Sequence, residues 1–151
     1  GEEQKMETET QKIFGQLRNG KIAPHEMTLS AATTRVPVIN GHMEMVSVQF
    51  TTCPAEEDVR AAFDRFRGGP QYARLPSAPA RPVVYLEEAL RPQPRLDADR
   101  DGGMVVSVGR LRPCSVLDYK FVALGHNTIR GAAGAAILNA EMMHTDGLLA
   151  Y

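Results

Sequence analysis

An arginine and a histidine stand seven residues apart in this chain, Arg35 and His42, on either side of an Asn-Gly dipeptide. Arginine offers a planar fork of donors that matches a carboxylate, and histidine takes up and releases protons near neutral pH. The pair therefore suits a small anionic substrate that undergoes proton transfer. An exposed arginine and a solvated histidine are a commoner outcome of such spacing, so the pair alone does not establish a site.

The Asn-Gly dipeptide between them is the strongest short signal for a two-residue β-hairpin, because both central residues need positive φ. The flanking segments 28–39 and 42–50 are rich in Thr, Val and Ile or alternate in polarity. The pattern predicts two paired strands with Arg35 and His42 on one face. At roughly 3.3 Å per residue the two would lie about 13 Å apart.

Hydrophobic periodicity predicts the other elements. Helices are expected over 2–18, from Pro54 to Gly68, and from about Asn127 to Met143, and strands over 83–86, 104–111 and 119–124. Two long loops remain, 70–82 and 87–103, and loops of this length in a compact domain are usually functional or interface-forming. The reading is an α+β fold: a mixed, largely antiparallel sheet of at least five strands with helices on one face.

Composition excludes several classes of protein. The chain has 151 residues, the size of one domain, and a formal net charge of -1, which gives no electrostatic case for nucleic-acid binding. No apolar run approaches the roughly 20 residues that cross a bilayer. Two cysteines, Cys53 and Cys114, and no stretch typical of a signal peptide fit thiols in a reducing cytoplasm.

The sequence contains no complete metal-binding or dinucleotide-binding motif. Asp97-x-Asp99-x-Asp101-Gly102 resembles the start of an EF-hand loop, but Val108 occupies the position that needs a bidentate glutamate. A solvated acidic loop is therefore the expectation there. The histidines and cysteines show no zinc spacing, and the segment 131–134 lacks the third glycine of a dinucleotide fingerprint.

Taken jointly, several stretches resemble the aspartate-semialdehyde dehydrogenase family, in its archaeal and fungal branch. They are Gly1-Glu-Glu-Gln-Lys-Met6, Glu9-Thr-Gln-Lys-Ile13, Arg35-Val-Pro-Val-Ile-Asn-Gly-His42, Leu75-Pro-Ser-Ala-Pro79, Arg91-Pro-Gln-Pro-Arg95 and His126-Asn-Thr-Ile-Arg-Gly-Ala-Ala133. The resemblance covers nearly the whole chain, and the stretches follow the order found in the family.

The resemblance implies a reaction. Enzymes of this family convert L-aspartate 4-semialdehyde, phosphate and NADP to L-4-aspartyl phosphate and NADPH. The reverse direction serves the biosynthesis of lysine, threonine, methionine and isoleucine. A cysteine thiolate attacks the aldehyde, hydride passes to the nicotinamide, and phosphate releases the acyl-enzyme, which is covalent catalysis by an activated thiol.

The resemblance also implies roles for individual residues. His42 matches the general acid/base, Arg35 the arginine that binds the substrate carboxylate, and Asn127 the residue at the nicotinamide end of NADP. Glu2 resembles the acid that meets the substrate amino group, with Glu3 as a competing register. Lys5 resembles the lysine that binds phosphate or the phosphoryl group.

The family's Gly-rich nucleotide-binding domain and its Asn-Cys nucleophile motif have no counterpart among these residues, and neither Cys53 nor Cys114 has that context. The resemblance therefore implies the C-terminal portion of such an enzyme, inactive alone. Residues 1–125 would be an incomplete substrate-binding and dimerisation domain, similar to that of glyceraldehyde-3-phosphate dehydrogenase-like enzymes. Residues 126–151 would return as a helix to the NADP-binding domain. A homodimer or homotetramer is implied, with loop 70–82 as a candidate interface.

Two alternatives stay open at the level of sequence. One is a stand-alone dimerisation module without catalysis. The other is a related acyl-phosphate reductase, such as N-acetylglutamyl-phosphate reductase, whose substrate has no free amine.

Overall fold

A helix and a short hairpin make up the first of two units in the chain, residues 1–37. The computed structural model describes residues 1–149. Helix α1 spans Glu2–Ile13, and strands β1 and β2, Gln16–Arg18 and Lys21–Ala23, pair antiparallel. The acids Glu2 and Glu3 lie in the first turn of α1, where the helix dipole favours negative charge.

The prediction of a helix over 2–18 is wrong at its end, because the chain leaves α1 for the β1–β2 hairpin. Asn19 and Gly20 join the two strands with φ values of 51° and 73°, the positive pair that a type I′ turn requires. Gly15 permits the close return of β2, since a Cβ there would lie 2.5 Å from the Ala23 carbonyl oxygen. Asn19-Gly20 is thus a hairpin turn rather than a helix stop.

The second unit begins at Val38 and contains the main sheet. Its elements are β3 His42–Val48, α2 Glu56–Arg65, α3 Gly69–Tyr72, β4 Val83–Leu86, α4 Pro94–Asp97, β5 Val106–Pro113, β6 Tyr119–Gly125 and α5 Gly134–Thr145, with a single π-helical turn, Ile129–Ala133, before α5. The strand order is β3-β6-β5-β4, and β4 runs parallel to β5 while the other pairs are antiparallel. The predicted mixed, largely antiparallel α+β fold is confirmed, but this sheet has four strands among residues 1–149 where at least five were expected.

The predicted hairpin across Asn40-Gly41 is wrong. Residues 24–41 form no strand, and β3 pairs instead with β6, His42 lying opposite Gly125. Pro37 has no N–H to donate to a neighbouring strand. Gly41 is needed at a close contact and not in a hairpin turn. Its φ is 109°, and a Cβ on it would lie 2.9 Å from the Leu124 side chain, so glycine allows β3 to enter the sheet at a tightly packed point.

Helix α2 covers one face of the sheet. Phe63 stacks on Tyr85 and meets Phe121 edge-on, beside a buried cluster of Val59, Leu111 and Tyr119. Segment 87–104 packs on the other face, where a Cβ on Gly109 would lie 2.5 Å from the Arg91 carbonyl oxygen. The apolar side of α2 is thus partly buried: Val59 and Phe63 contact the sheet, whereas Phe66 is 53% exposed.

The expectation of a solvated acidic loop is wrong for Asp97, which is 1% exposed. Its carboxylate accepts hydrogen bonds from Arg91, from Arg100 and from the Gln93 amide. Burial by itself would raise the pKa of Asp97, but these donors outweigh it and lower the pKa to about 2. Asp97 thus anchors the long segment against the sheet as a paired, buried anion.

No helix among residues 1–149 has both the length and the apolar character needed to cross a bilayer.

Candidate functional site

Arg35 and Glu2 lie side by side in the first unit. The Arg35 guanidinium is 3.6 Å from the nearer Glu2 oxygen, and the two side chains are 94% and 61% exposed. An exposed pair of this kind contributes at most about 1 kcal/mol to folding, so either partner can exchange it for a ligand. Together they offer a cation to a carboxylate and an anion to an ammonium group, the two charges of an α-amino acid.

Glu2 and Glu3, which the sequence left as competing registers, make different contacts. Glu3 accepts the Thr33 N–H at its Oε1 at 2.7 Å. Glu2 faces Arg35 instead. Glu2 is therefore the acid of the two that lies beside the Arg35 guanidinium.

Lys5 follows Glu2 by one helical turn, so both project from the same side of α1. The two line a shallow depression of about 510 Å³ at the first turn of the helix, together with Gly1, Gln4 and Thr8. Among residues 1–149 no carboxylate forms a salt bridge with Lys5, which leaves the ammonium group available to an anion.

His42 opens β3 in the second unit, opposite Gly125, and its side chain is exposed. Within the part of the chain that the structure describes, the imidazole makes no hydrogen bond or ion pair. Because the predicted hairpin does not form, Arg35 and His42 do not share a sheet face. His42 owes its place to the pairing of β3 with β6.

Asn127 is tied to the residue that precedes His42. Its Oδ1 accepts the Gly41 N–H at 3.0 Å, across 86 residues of sequence. The acceptor of the carboxamide is thereby used, and the amide nitrogen has no partner among residues 1–149. Asn127 can therefore donate a hydrogen bond to a ligand while it holds the start of β3.

Sequence reasoning missed His126, which is 4% exposed. Its Nδ1 lies 3.2 Å from both the Thr128 and the Ile129 amide nitrogens, and its Nε2 lies 3.4 Å from Asp99. An Nδ1 that accepts backbone N–H groups carries no proton, so the ring proton is assigned to Nε2, facing Asp99. His126 caps the turn that carries Asn127, and a histidine directly before a helix start was the available signal.

Both cysteines lie away from His42. Backbone hydrogen bonds in the turn after β5, from Leu117 and Val116, lower the pKa of Cys114, and its Sγ lies 4.0 Å from Ser47 Oγ. Ser47 stands five residues along β3 from His42, about 17 Å at 3.4 Å per residue. Cys53, an exposed thiol, follows the same far end of β3.

Residues 1–149 contain no group of three His, Cys, Asp or Glu side chains arranged to hold a metal ion.

Comparison with known proteins gives the geometry a context. The family model described as semialdehyde dehydrogenase, dimerisation domain, matches residues 1–130. The aspartate-semialdehyde dehydrogenase of Methanothermobacter thermautotrophicus is 50% identical over 146 residues, which are 95% of this chain and 42% of that protein. The enzyme of Schizosaccharomyces pombe is 45% identical over 155 residues, 99% of this chain and 43% of that protein.

Solved structures agree in fold. Aspartate semialdehyde dehydrogenase from Candida albicans, crystallised with NADP, superposes with a TM-score of 0.91 at 45% identity, covering 99% of this chain and 44% of that one. The Vibrio cholerae enzyme II, complexed with ASA, gives a TM-score of 0.59 at 25% identity over 74% of this chain and 29% of that one. The chain thus spans about two fifths of the length of the Methanothermobacter thermautotrophicus, Schizosaccharomyces pombe and Candida albicans proteins.

Proposed function

Because the chain belongs to the semialdehyde dehydrogenase family, as its dimerisation domain, we propose that it is part of an NADP-dependent, phosphorylating aspartate-semialdehyde dehydrogenase. The observation that supports this substrate is the open Arg35–Glu2 pair, 3.6 Å apart, with Lys5 one turn along the helix. The proposed substrates are L-aspartate 4-semialdehyde, phosphate and NADP.

Each proposed role follows from the chemistry of its group. Arg35 binds the substrate carboxylate through its two-pronged fork, and Glu2 accepts hydrogen bonds from the ammonium group. Lys5 binds phosphate as a compact, freely rotating cation. The two substrates are therefore held by three charged side chains, and each side chain is opposite in sign to the group that it binds.

His42 is the proposed general acid/base. It exchanges a proton with the oxygen atom of the substrate aldehyde group during the reaction. NADP, when bound, supplies the hydride acceptor for this carbon. The Asn127 amide fits a nicotinamide carboxamide, because its remaining donor suits the carboxamide oxygen. The thiol nucleophile belongs to a part of the enzyme outside these residues.

The proposal is tested with the intact protein, supplied with semialdehyde, phosphate and NADP. NADPH formation that requires all three is the expected result, read from its absorbance. Residues 1–151 alone should give none, because both their thiols lie far from His42. An intact protein that forms no NADPH with this substrate would contradict the proposed function and favour a non-catalytic dimerisation module.

A substrate panel separates the related reductases. An N-acetylated glutamyl substrate has no ammonium group for Glu2, which argues against N-acetylglutamyl phosphate. The intact protein should therefore prefer the aspartyl substrate, and Glu2→Gln should reduce that preference.

We also propose that the intact protein is a homodimer or homotetramer in the cytoplasm, with loop 70–82 contributing to contacts between copies. Residues 126–149 extend the second unit, with Leu138 buried beside Leu75 and Met104. Ile137, the preceding residue of α5, is 55% exposed. This uncovered side supports the proposal that α5 packs on the NADP-binding domain.

A further inference from the structure

Three polar side chains of α1 hold the backbone of the segment that leads to Arg35. Gln11 Nε2 donates to the Met27 carbonyl at 3.0 Å, Glu7 Oε1 accepts the Ala31 N–H at 2.9 Å, and Glu3 Oε1 accepts the Thr33 N–H at 2.7 Å. We call these three contacts the α1 ladder. As the chain advances from 27 to 33, the partners step back along the helix from its end to its first turn.

The α1 ladder gives the backbone of this segment hydrogen bonds that a neighbouring strand would otherwise provide. Residues four apart on a helix lie on one face, so positions 3, 7 and 11 form a continuous edge. Segment 24–37 has no strand partner, and its backbone groups need hydrogen bonds from another source. The α1 side chains provide them, and they fix the segment in register along the helix.

Glu3 is the rung nearest to the proposed substrate site. Its partner Thr33 precedes Arg35 by two residues, and Glu3 itself follows Glu2. The Thr33 hydroxyl also lies 3.5 Å from the same Glu3 oxygen. Because Arg35 is 94% exposed, few contacts of its own fix its place, so its backbone must be located by what holds the preceding residues.

We propose that Glu3 is a positioning residue: through the Thr33 amide it sets the backbone from which Arg35 reaches the substrate carboxylate beside Glu2. This rests on the proposed role of Arg35. It assigns Glu3 a contact with the Thr33 amide and none with the substrate. It also distinguishes Glu3 from an acid that merely favours the start of a helix.

Two substitutions of Glu3 separate the effect of its side-chain length from the effect of its charge. Glu3→Asp keeps the negative charge and the acidic first turn, but it withdraws the carboxylate by one methylene from Thr33. Glu3→Gln removes the charge but keeps an Oε1 acceptor at full length. Glu9→Asp is the matched control, because Glu9 lies on the exposed side of α1 and has no hydrogen bond or ion pair of its side chain within residues 1–149.

The readout is KM for aspartate semialdehyde against kcat in the intact protein. Glu3→Asp should raise KM about tenfold, the change expected when a charge-assisted hydrogen bond is lost, with a smaller effect on kcat. Glu3→Gln and Glu9→Asp should stay within about threefold of the parent. If Glu3→Asp leaves KM unchanged, or if Gln and Asp raise it equally, the positioning role is overturned.

A second cycle tests the route through Arg35. In the Arg35→Leu background, Glu3→Asp should add no further rise in KM, because the group that it positions is gone. A full additional tenfold rise would show that Glu3 acts by another route and would overturn the proposal.

Hydrogen exchange at the Thr33 amide keeps this test separate from the proposed function. Slow exchange in the parent and in Glu3→Gln, with fast exchange in Glu3→Asp, is expected even if the intact protein turns over no semialdehyde. Equal exchange in all three proteins would overturn the ladder's role while leaving the proposed reaction intact.

Discussion

At the scale of single residues, His42 and Arg35 are expected to affect different kinetic constants. His42 would handle a proton in the transition state, whereas Arg35 would bind the substrate carboxylate before and during reaction. Uniform binding of substrate and transition state alters KM, and a group used only in the transition state alters kcat. The two substitutions can therefore be told apart.

His42→Gln in the intact protein should lower kcat by about 10²- to 10⁴-fold, the contribution typical of a general acid or base. Steady-state rates with saturating aldehyde measure this, and KM should change little because His42 makes no proposed ground-state contact. A variant with the parent's kcat would remove His42 from proton transfer.

Arg35→Lys should raise KM about tenfold, since a point charge replaces a bidentate fork. Arg35→Leu should raise it further, because it leaves the carboxylate with no cation. Initial rates against aldehyde concentration provide the comparison. Equal KM values for the parent and both variants would place the carboxylate elsewhere.

At the scale of elements, segment 87–104 depends on one buried anion. Asp97 has a pKa of about 2 against an ordinary value of 3.8, so the folded state holds its proton less tightly than the unfolded state. Its contribution is present above pH 4 and is lost as pH falls through 2. The difference corresponds to about 2 kcal/mol at 1.36 kcal/mol per pKa unit.

Asp97→Asn should therefore lose this part of the acid dependence. Urea unfolding between pH 4 and pH 2 should show a shallower decline in the variant than in the parent. At pH 7 the variant should be less stable by about 3 kcal/mol or more, because Arg91 and Arg100 lose their buried partner. Asp146→Asn, at the exposed end of α5, is the control and should leave both quantities unchanged.

The start of β3 depends on Asn127. Asn127→Leu removes the acceptor of the Gly41 N–H, and it should reduce the free energy of unfolding by about 1 to 3 kcal/mol. Asn139→Leu, on an exposed part of α5, is the matched control and should change stability by less than about 0.5 kcal/mol. Denaturant titration distinguishes them, and equal losses would show that the Gly41 contact is energetically unimportant.

Sequence patterns located the elements well where one local signal dominated. Strand β4 lies at the predicted 83–86, and α2 lies between the predicted Pro54 and Gly68. In each case one apolar residue of the predicted run is buried, Leu86 in β4 and Val59 in α2. The final helix differs, since a π turn over 129–133 precedes α5, and there Gly134 approaches the Met104 sulfur too closely for a Cβ.

At the scale of the whole molecule, the exposed side of α5 allows a test of the proposal that another domain packs on it. Ile137 is 55% exposed. Val116, in the turn after β5, is 84% exposed. If another domain covers α5, Ile137→Asp should destabilise the intact protein by more than about 2 kcal/mol, the cost of burying a carboxylate in an apolar contact. Val116→Asp should have almost no effect. Similar stability of both variants would argue that α5 stays uncovered.

The sequence by itself determined the α+β class, the position of α2 and of strands β4 to β6, and the family. These depend on local periodicity and on residue type, which neighbouring residues carry. Only the tertiary structure decided which Asn-Gly pair makes a hairpin, which of Glu2 and Glu3 faces Arg35, and that Asp97 is buried. The first two choices are made by distant partners, because β3 pairs with β6 at Gly125 and Glu3 binds Thr33 across 30 residues. Asp97 is buried because its own segment folds Arg91 and Arg100 onto the carboxylate, an arrangement that residue spacing does not specify.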